Sequence, residues 1–123
     1  MTSRELRKRL YKKWPSLRPW IFDRKYETIS RLKLKQLLYE NRIDKKKYVK
    51  DSFDCDDFAL QLHAAIKRKG NYAFGEVHGT FRGNSTYHAV NICICKHCIV
   101  LIEPQTDKIW TCTEDDKVYR LRI

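Results

Sequence analysis

Residues 88–105 read HAVNICICKHCIVLIEPQ. Two apolar runs flank Lys96 and His97, and both are rich in β-branched residues. That pattern predicts an antiparallel hairpin closed by a two-residue turn. His88 then faces Gln105, Val90 faces Glu103, Ile92 faces Leu101 and Ile94 faces Ile99. Side chains alternate along a strand, so these eight residues share one face. The turn end of that face is purely apolar and suits a core. At the far end, His88 lies diagonal to Glu103 and opposite Gln105, within reach of long side chains. Polar groups at the edge of a buried face need a partner or a function.

Upstream, residues 53–59 read FDCDDFA. Cys55, Phe58, Ala59, Leu62, Ala65 and Ile66 fall on one helical face, and Gly70 stops the helix, predicted over 54–69. Cys55 sits in its first turn among three aspartates. Neighbouring carboxylates raise a thiol's pKa, whereas a helix N-terminus and a protonated histidine lower it. With this helix on the His88 face, Cys55, His88 and Glu103 would stand as nucleophile, base and orienting carboxylate. Gln105 would help to orient the site.

The rest of the chain predicts an α+β domain. Helices are expected over 3–13, capped by Ser3, and over 27–40, with Ile29, Leu32, Leu37 and Tyr39 as an apolar stripe. Strands are expected over 74–81, 87–95, 98–104, 108–113 and 117–122. The 123 residues suffice for one domain, with a basic helical part over 1–50 and the cysteine helix and sheet over 51–123. No apolar run is long enough to cross a membrane, and no secretory leader is visible, so a cytoplasmic setting with five free thiols is expected.

Charge is uneven. Residues 1–50 hold 17 Lys/Arg against 5 Asp/Glu, while residues 51–123 hold 9 against 10. Arg7, Lys8, Arg9, Lys12 and Lys13 are the candidate surface for nucleic acid or an acidic protein. Cys93, Cys95 and Cys98 share the face opposite His88. Their spacing does not match a standard zinc site, so zinc is not expected and they read as packing residues. His63 is expected to be exposed, and neither it nor His78 is assigned a role.

The blocks FDCDDFA, HAVN and LIEPQTD, in this order, resemble the papain-like cysteine-protease domain at the C-terminus of fungal agglutinins. They also resemble small phage and prophage proteins carrying the same blocks, as do DRKY (23–26) and KYV (47–49). The resemblance implies a papain-like α+β fold, N-terminal helices packed on an antiparallel sheet. It implies Cys55, His88 and Glu103 as a catalytic triad of a thiol hydrolase acting on a peptide or amide. It further implies calcium or manganese near Asp56, Asp57 and Gln105, which would neutralise the acidic flank of Cys55. The competing expectation is a non-catalytic binding protein that uses the basic helices.

Overall fold

The central strand, His88–Ile94 (β2), is buried at every position after His88. A strand covered on both faces needs apolar side chains in both directions, and AVNICI supplies them. The computed structural model describes all residues, 1–123. Around β2 lie strands Phe74–Thr80 (β1), Ile99–Glu103 (β3), Lys108–Thr111 (β4) and Lys117–Arg122 (β5). They form one sheet in the order β4-β3-β2-β1-β5, antiparallel throughout. The β2–β3 register is Asn91 to Ile102, Ile92 to Leu101, Cys93 to Val100 and Ile94 to Ile99. The turn therefore falls at Lys96 and His97, as the hairpin reading requires. The strands are not a simple meander, because β5 returns to pair with β1. Gly79 permits that approach: a Cβ there would lie 1.8 Å from the Lys117 carbonyl oxygen.

The helices divide between the two faces. Helix α1 (Ser3–Lys13) puts Leu6 and Leu10 against Val77, Val90, Ile92, Ile94, Leu101 and Leu121. Helices α2 (Arg31–Glu40) and α3 (Cys55–Lys67) cover the other face. There Leu34, Leu37, Leu38, Phe58, Leu62 and Ile66 meet Phe74, Cys93, Cys95, Val100 and Ile102. This corrects the expected packing of the Cys55 helix on the His88–Val90–Ile92 face. That face is already filled by α1, and the apolar stripe of α3 finds its cover on the opposite one.

Local signals explain the helix limits. Thr2, not Ser3, caps α1, and Thr2 and Glu5 form a reciprocal capping box. Helix α2 begins at Arg31 rather than 27, because Ser30 takes the cap position and accepts the Lys33 N–H. Residues before it are extended, with Glu27 bridged to Tyr72. Two members of the expected α2 stripe, Leu32 and Tyr39, are exposed; Leu34, Leu37 and Leu38 make the buried contact. Asp54 caps α3 in a second capping box with Asp57.

One polar side chain ties the α3 layer to the sheet. Asn91 is fully buried, and its Nδ2 donates to the carbonyls of Ala59 on α3 and Gly75 on β1, at 2.8 and 3.0 Å. Asn91→Ala leaves two buried carbonyls short of a donor. It should lower the unfolding free energy by about 2–3 kcal/mol, read from urea denaturation. A loss below about 0.5 kcal/mol would show that the bridge is dispensable.

Candidate functional site

The site forms where α3 begins beside the start of β2. His88 Nε2 and Glu103 Oε2 are 2.6 Å apart, joining β2 to the end of β3. The hydrogen-bonded register sets this contact, since both residues lie on one face two positions out of step. The other oxygen, Glu103 Oε1, accepts the Gln105 N–H at 3.2 Å in the turn that follows β3. Glu103 is thus held from two sides and fixes the imidazole.

Cys55 approaches from the other layer. No hydrogen bond joins its sulfur to His88, and the backbone N–H groups of Ala89 and Asp56 are the groups that draw its pKa down. Burial pushes the Cys55 thiol up, the Asp54 and Asp56 carboxylates add to the effect, and the two N–H groups oppose it. The net direction favours the neutral thiol. The positive end of α3 therefore does not overcome desolvation and the acidic flank.

Asp54, Asp56 and Asp57 place carboxylate oxygens within 4.8 Å of one another. Asp57 accepts the Asp54 N–H at 3.1 Å, while Asp54 Oδ1 is buried without a partner. Asp54 was missing from the sequence-based ligand set, although its place at a helix cap opposite Asp57 was visible in FDCDD. Gln105 is not part of this acidic group. His63, expected to be exposed, is mostly covered and its Nδ1 lies 3.6 Å from Glu76 Oε2.

Three of the six basic residues of α1 are spent on structure. Arg7 donates to the Pro19 carbonyl, Arg9 to those of Cys95 and Cys98, and Lys13 to that of Cys112. Of the five residues assigned to nucleic acid or an acidic protein, Lys8 and Lys12 alone have no such bond. No helix is long and apolar enough to cross a membrane.

A further carboxylate is strained electrostatically. Burial, with Asp44 nearby, raises Asp107 to a pKa of about 6, against a weaker pull from Lys45. Its Oδ1 is buried without a partner, and its φ of 61° is a conformation that asparagine also tolerates. Because the folded pKa exceeds the unfolded one, Asp107 favours the fold most when protonated. That advantage falls as pH rises through about 4 to 6. Asp107→Asn should therefore stabilise the protein by about 1–2 kcal/mol at pH 7.5, allowing for partial solvent screening. The gain should vanish below about pH 4, as measured by urea denaturation across pH. A pH-independent difference would refute this account.

Comparison with solved structures supplies the fold relationship. The whole chain is similar to part of PSL1a in its complex with E64, at 22% identity and a TM-score of 0.84, covering 51% of that chain. It is also similar to part of the Polyporus squamosus lectin bound to the human-type influenza-binding epitope Neu5Acα2-6Galβ1-4GlcNAc. There the identity is 19%, the TM-score 0.83 and the coverage 49% of that chain. The chain thus spans about half the length of these structures. No curated protein matches it. The family model described as agglutinin C-terminal matches residues 26–109.

These findings correct the sequence reading. The papain-like fold gives way to the fold shared with half of a lectin chain: one five-stranded antiparallel sheet between α1 and the α2–α3 layer. The thiol-hydrolase function, its catalytic triad and the alternative of a nucleic-acid or acidic-protein binder give way to an agglutinin relationship. The raised thiol pKa accords with that correction. Iodoacetamide should accordingly alkylate Cys55 no faster at pH 7 than an ordinary exposed thiol, with the rate climbing beyond pH 9. Rapid labelling at pH 6–7, followed by mass spectrometry, would instead reveal an activated thiolate. With more than half its length matched by the family model, this chain belongs to the agglutinin C-terminal family.

Proposed function

We propose that this chain serves carbohydrate recognition as an agglutinin-type module, with a divalent cation organising the polar end of its site. The observation that carries the reading is a solvent-exposed aromatic platform built around Tyr87, next along the chain from His88. Tyr87 immediately precedes His88, is 54% exposed, and stacks on Tyr119 of β5 with ring centroids 6.4 Å apart and planes 12° from parallel. The His78 ring lies 6.2 Å from Tyr87. Exposed large apolar groups in a cluster mark a binding surface. Aromatic faces pack against the C–H faces of pyranose rings, and neighbouring polar groups select hydroxyl positions. Support also comes from the glycan epitope held by the similar lectin.

The donor set near Cys55 suits a hard cation. Asp54, Asp56 and Asp57 offer oxygen only, and Asp54 Oδ1 is buried with no hydrogen-bond partner. Calcium or manganese fits such ligands. Bound there, the ion would neutralise the acidic turn and offer a Lewis-acidic contact to hydroxyl groups. The protein's own groups do the rest: Glu103 orients His88, and the tyrosines present the stacking surface.

Isothermal titration with a panel of sialylated and neutral glycans, beginning with Neu5Acα2-6Galβ1-4GlcNAc, tests the reading. Saturable binding is expected, and Tyr119→Ala should weaken it about tenfold, or about 1.4 kcal/mol, with Tm unchanged. Absence of saturable binding to any glycan, with or without calcium or manganese, would overturn the proposal. Cation binding is tested separately. Either ion at ten times its Kd should add about 1.4 kcal/mol to stability, and Asp56→Asn should remove that gain.

A further inference from the structure

The tip of the β2–β3 hairpin holds two cysteines that the glycan reading does not use, Cys95 packed in the α2–α3 core and Cys98 partly exposed at its edge. Ile94 pairs with Ile99, so Cys95 stands opposite Cys98 across the Lys96–His97 turn. The Cys95 N–H donates to the Cys98 carbonyl at 2.9 Å. Directly opposed residues of antiparallel strands have Cα atoms about 4.5–5.5 Å apart, inside the range a disulfide spans. Directly opposed residues also point to the same side of the sheet. Cys93, two residues back along β2, lies on the same face.

The surroundings are cationic. Arg9 spans the tip, donating to the Cys95 carbonyl at 2.6 Å and to the Cys98 carbonyl at 3.2 Å. Arg31, the first residue of α2, draws the Cys98 thiol down, although burial leaves that thiol raised overall. Positive charge beside a thiol favours the thiolate that thiol–disulfide exchange needs. The neighbouring Cys93 thiol, then Cys98, Arg31 and Arg9, draw the Cys95 thiol down against the opposing effect of burial. Access is graded: Cys98 is partly exposed, whereas Cys95 is 5% exposed.

We propose that Cys95 and Cys98 form a reversible dithiol–disulfide couple, oxidised by a low-molecular-weight disulfide of the glutathione class. The accessible Cys98 sulfur loses its proton to solvent and attacks one sulfur of the small disulfide. The first small thiolate leaves and takes up a proton, and a mixed disulfide remains on Cys98. The Cys95 thiolate then attacks the Cys98 sulfur, forms the intramolecular bond and expels the second small thiolate, which is protonated in turn. In sum, the two cysteines lose two electrons and two protons, and the small disulfide gains them as two thiols.

The full chain supplies the test through its own sequence, because trypsin cuts after Lys96, between the two cysteines. The reduced protein is incubated with oxidised and reduced glutathione at pH 7.5, quenched with acid and weighed intact. Loss of two hydrogens without a glutathione adduct is expected. In a non-reducing digest, the peptide ending at Lys96 should stay joined to the one starting at His97, with fragmentation placing the bond at Cys95–Cys98. Cys98→Ser should abolish the mass loss. Cys95→Ser should stop at the mixed disulfide on Cys98. Thermal melts of both reduced variants report whether they remain folded, and an unfolded variant is replaced by alanine at the same position. Wild-type protein that gains only glutathione, stays fully reduced, or joins Cys98 to Cys93, Cys112 or Cys55 would overturn the proposal.

Discussion

From Ala89 to Ile94, strand β2 meets water on neither face, and the rest of the molecule follows from that constraint. A strand buried on both sides must be flanked by strands at each edge and by a layer above and below. Val90, Ile92 and Ile94 require one cover, which α1 provides with Leu6 and Leu10. Cys93, Cys95 and the β3 residues Val100 and Ile102 require another, which α2 and α3 provide. Asn91 is the one uncharged polar residue buried in the strand, and it serves as the seam between α3 and the sheet.

The candidate site is a by-product of this layering. β2 emerges from the core at His88, and there the α3 N-terminus, the β3 end and the β5 aromatic come together. Functional groups gather at this end because backbone and side chains regain solvent there while still being held by buried neighbours. Glu103 illustrates the point, with one oxygen on His88 and the other on the Gln105 N–H. The acidic turn before α3 has its own structural duty, since Asp54 and Asp57 cap the helix that carries Phe58 and Leu62.

The basic half of the chain shows how composition misleads when geometry is unknown. The excess of Lys and Arg over residues 1–50 suggested a binding face. Arg9 instead holds the hairpin tip and Lys13 a β4-end carbonyl, so their cations satisfy acceptors that the sheet leaves open. Asp116 has the converse role, as an acceptor. This buried acid accepts the Arg82 and Thr113 N–H groups and lies 3.3 Å from Trp110 Nε1, which docks two turns together.

By itself the sequence determined the hairpin register, the α3 stripe and the nearness of His88 to Glu103. Each depends on spacing along one or two neighbouring segments, where strand and helix periods leave little freedom. It also placed the agglutinin-type blocks in order. Only the tertiary structure decided which face α3 covers, because an apolar stripe fits either side of a two-sided apolar sheet. It decided the state of Cys55, where burial and the carboxylates outweigh the helix terminus, and it brought Tyr119 of β5 beside Tyr87 across a long sequence separation. The shift of the α2 start from 27 to 31 belongs with these. Glu27 is drawn into pairing with residues 71–73 and the Ile29 N–H donates to the Ile94 carbonyl, contacts that no local propensity encodes.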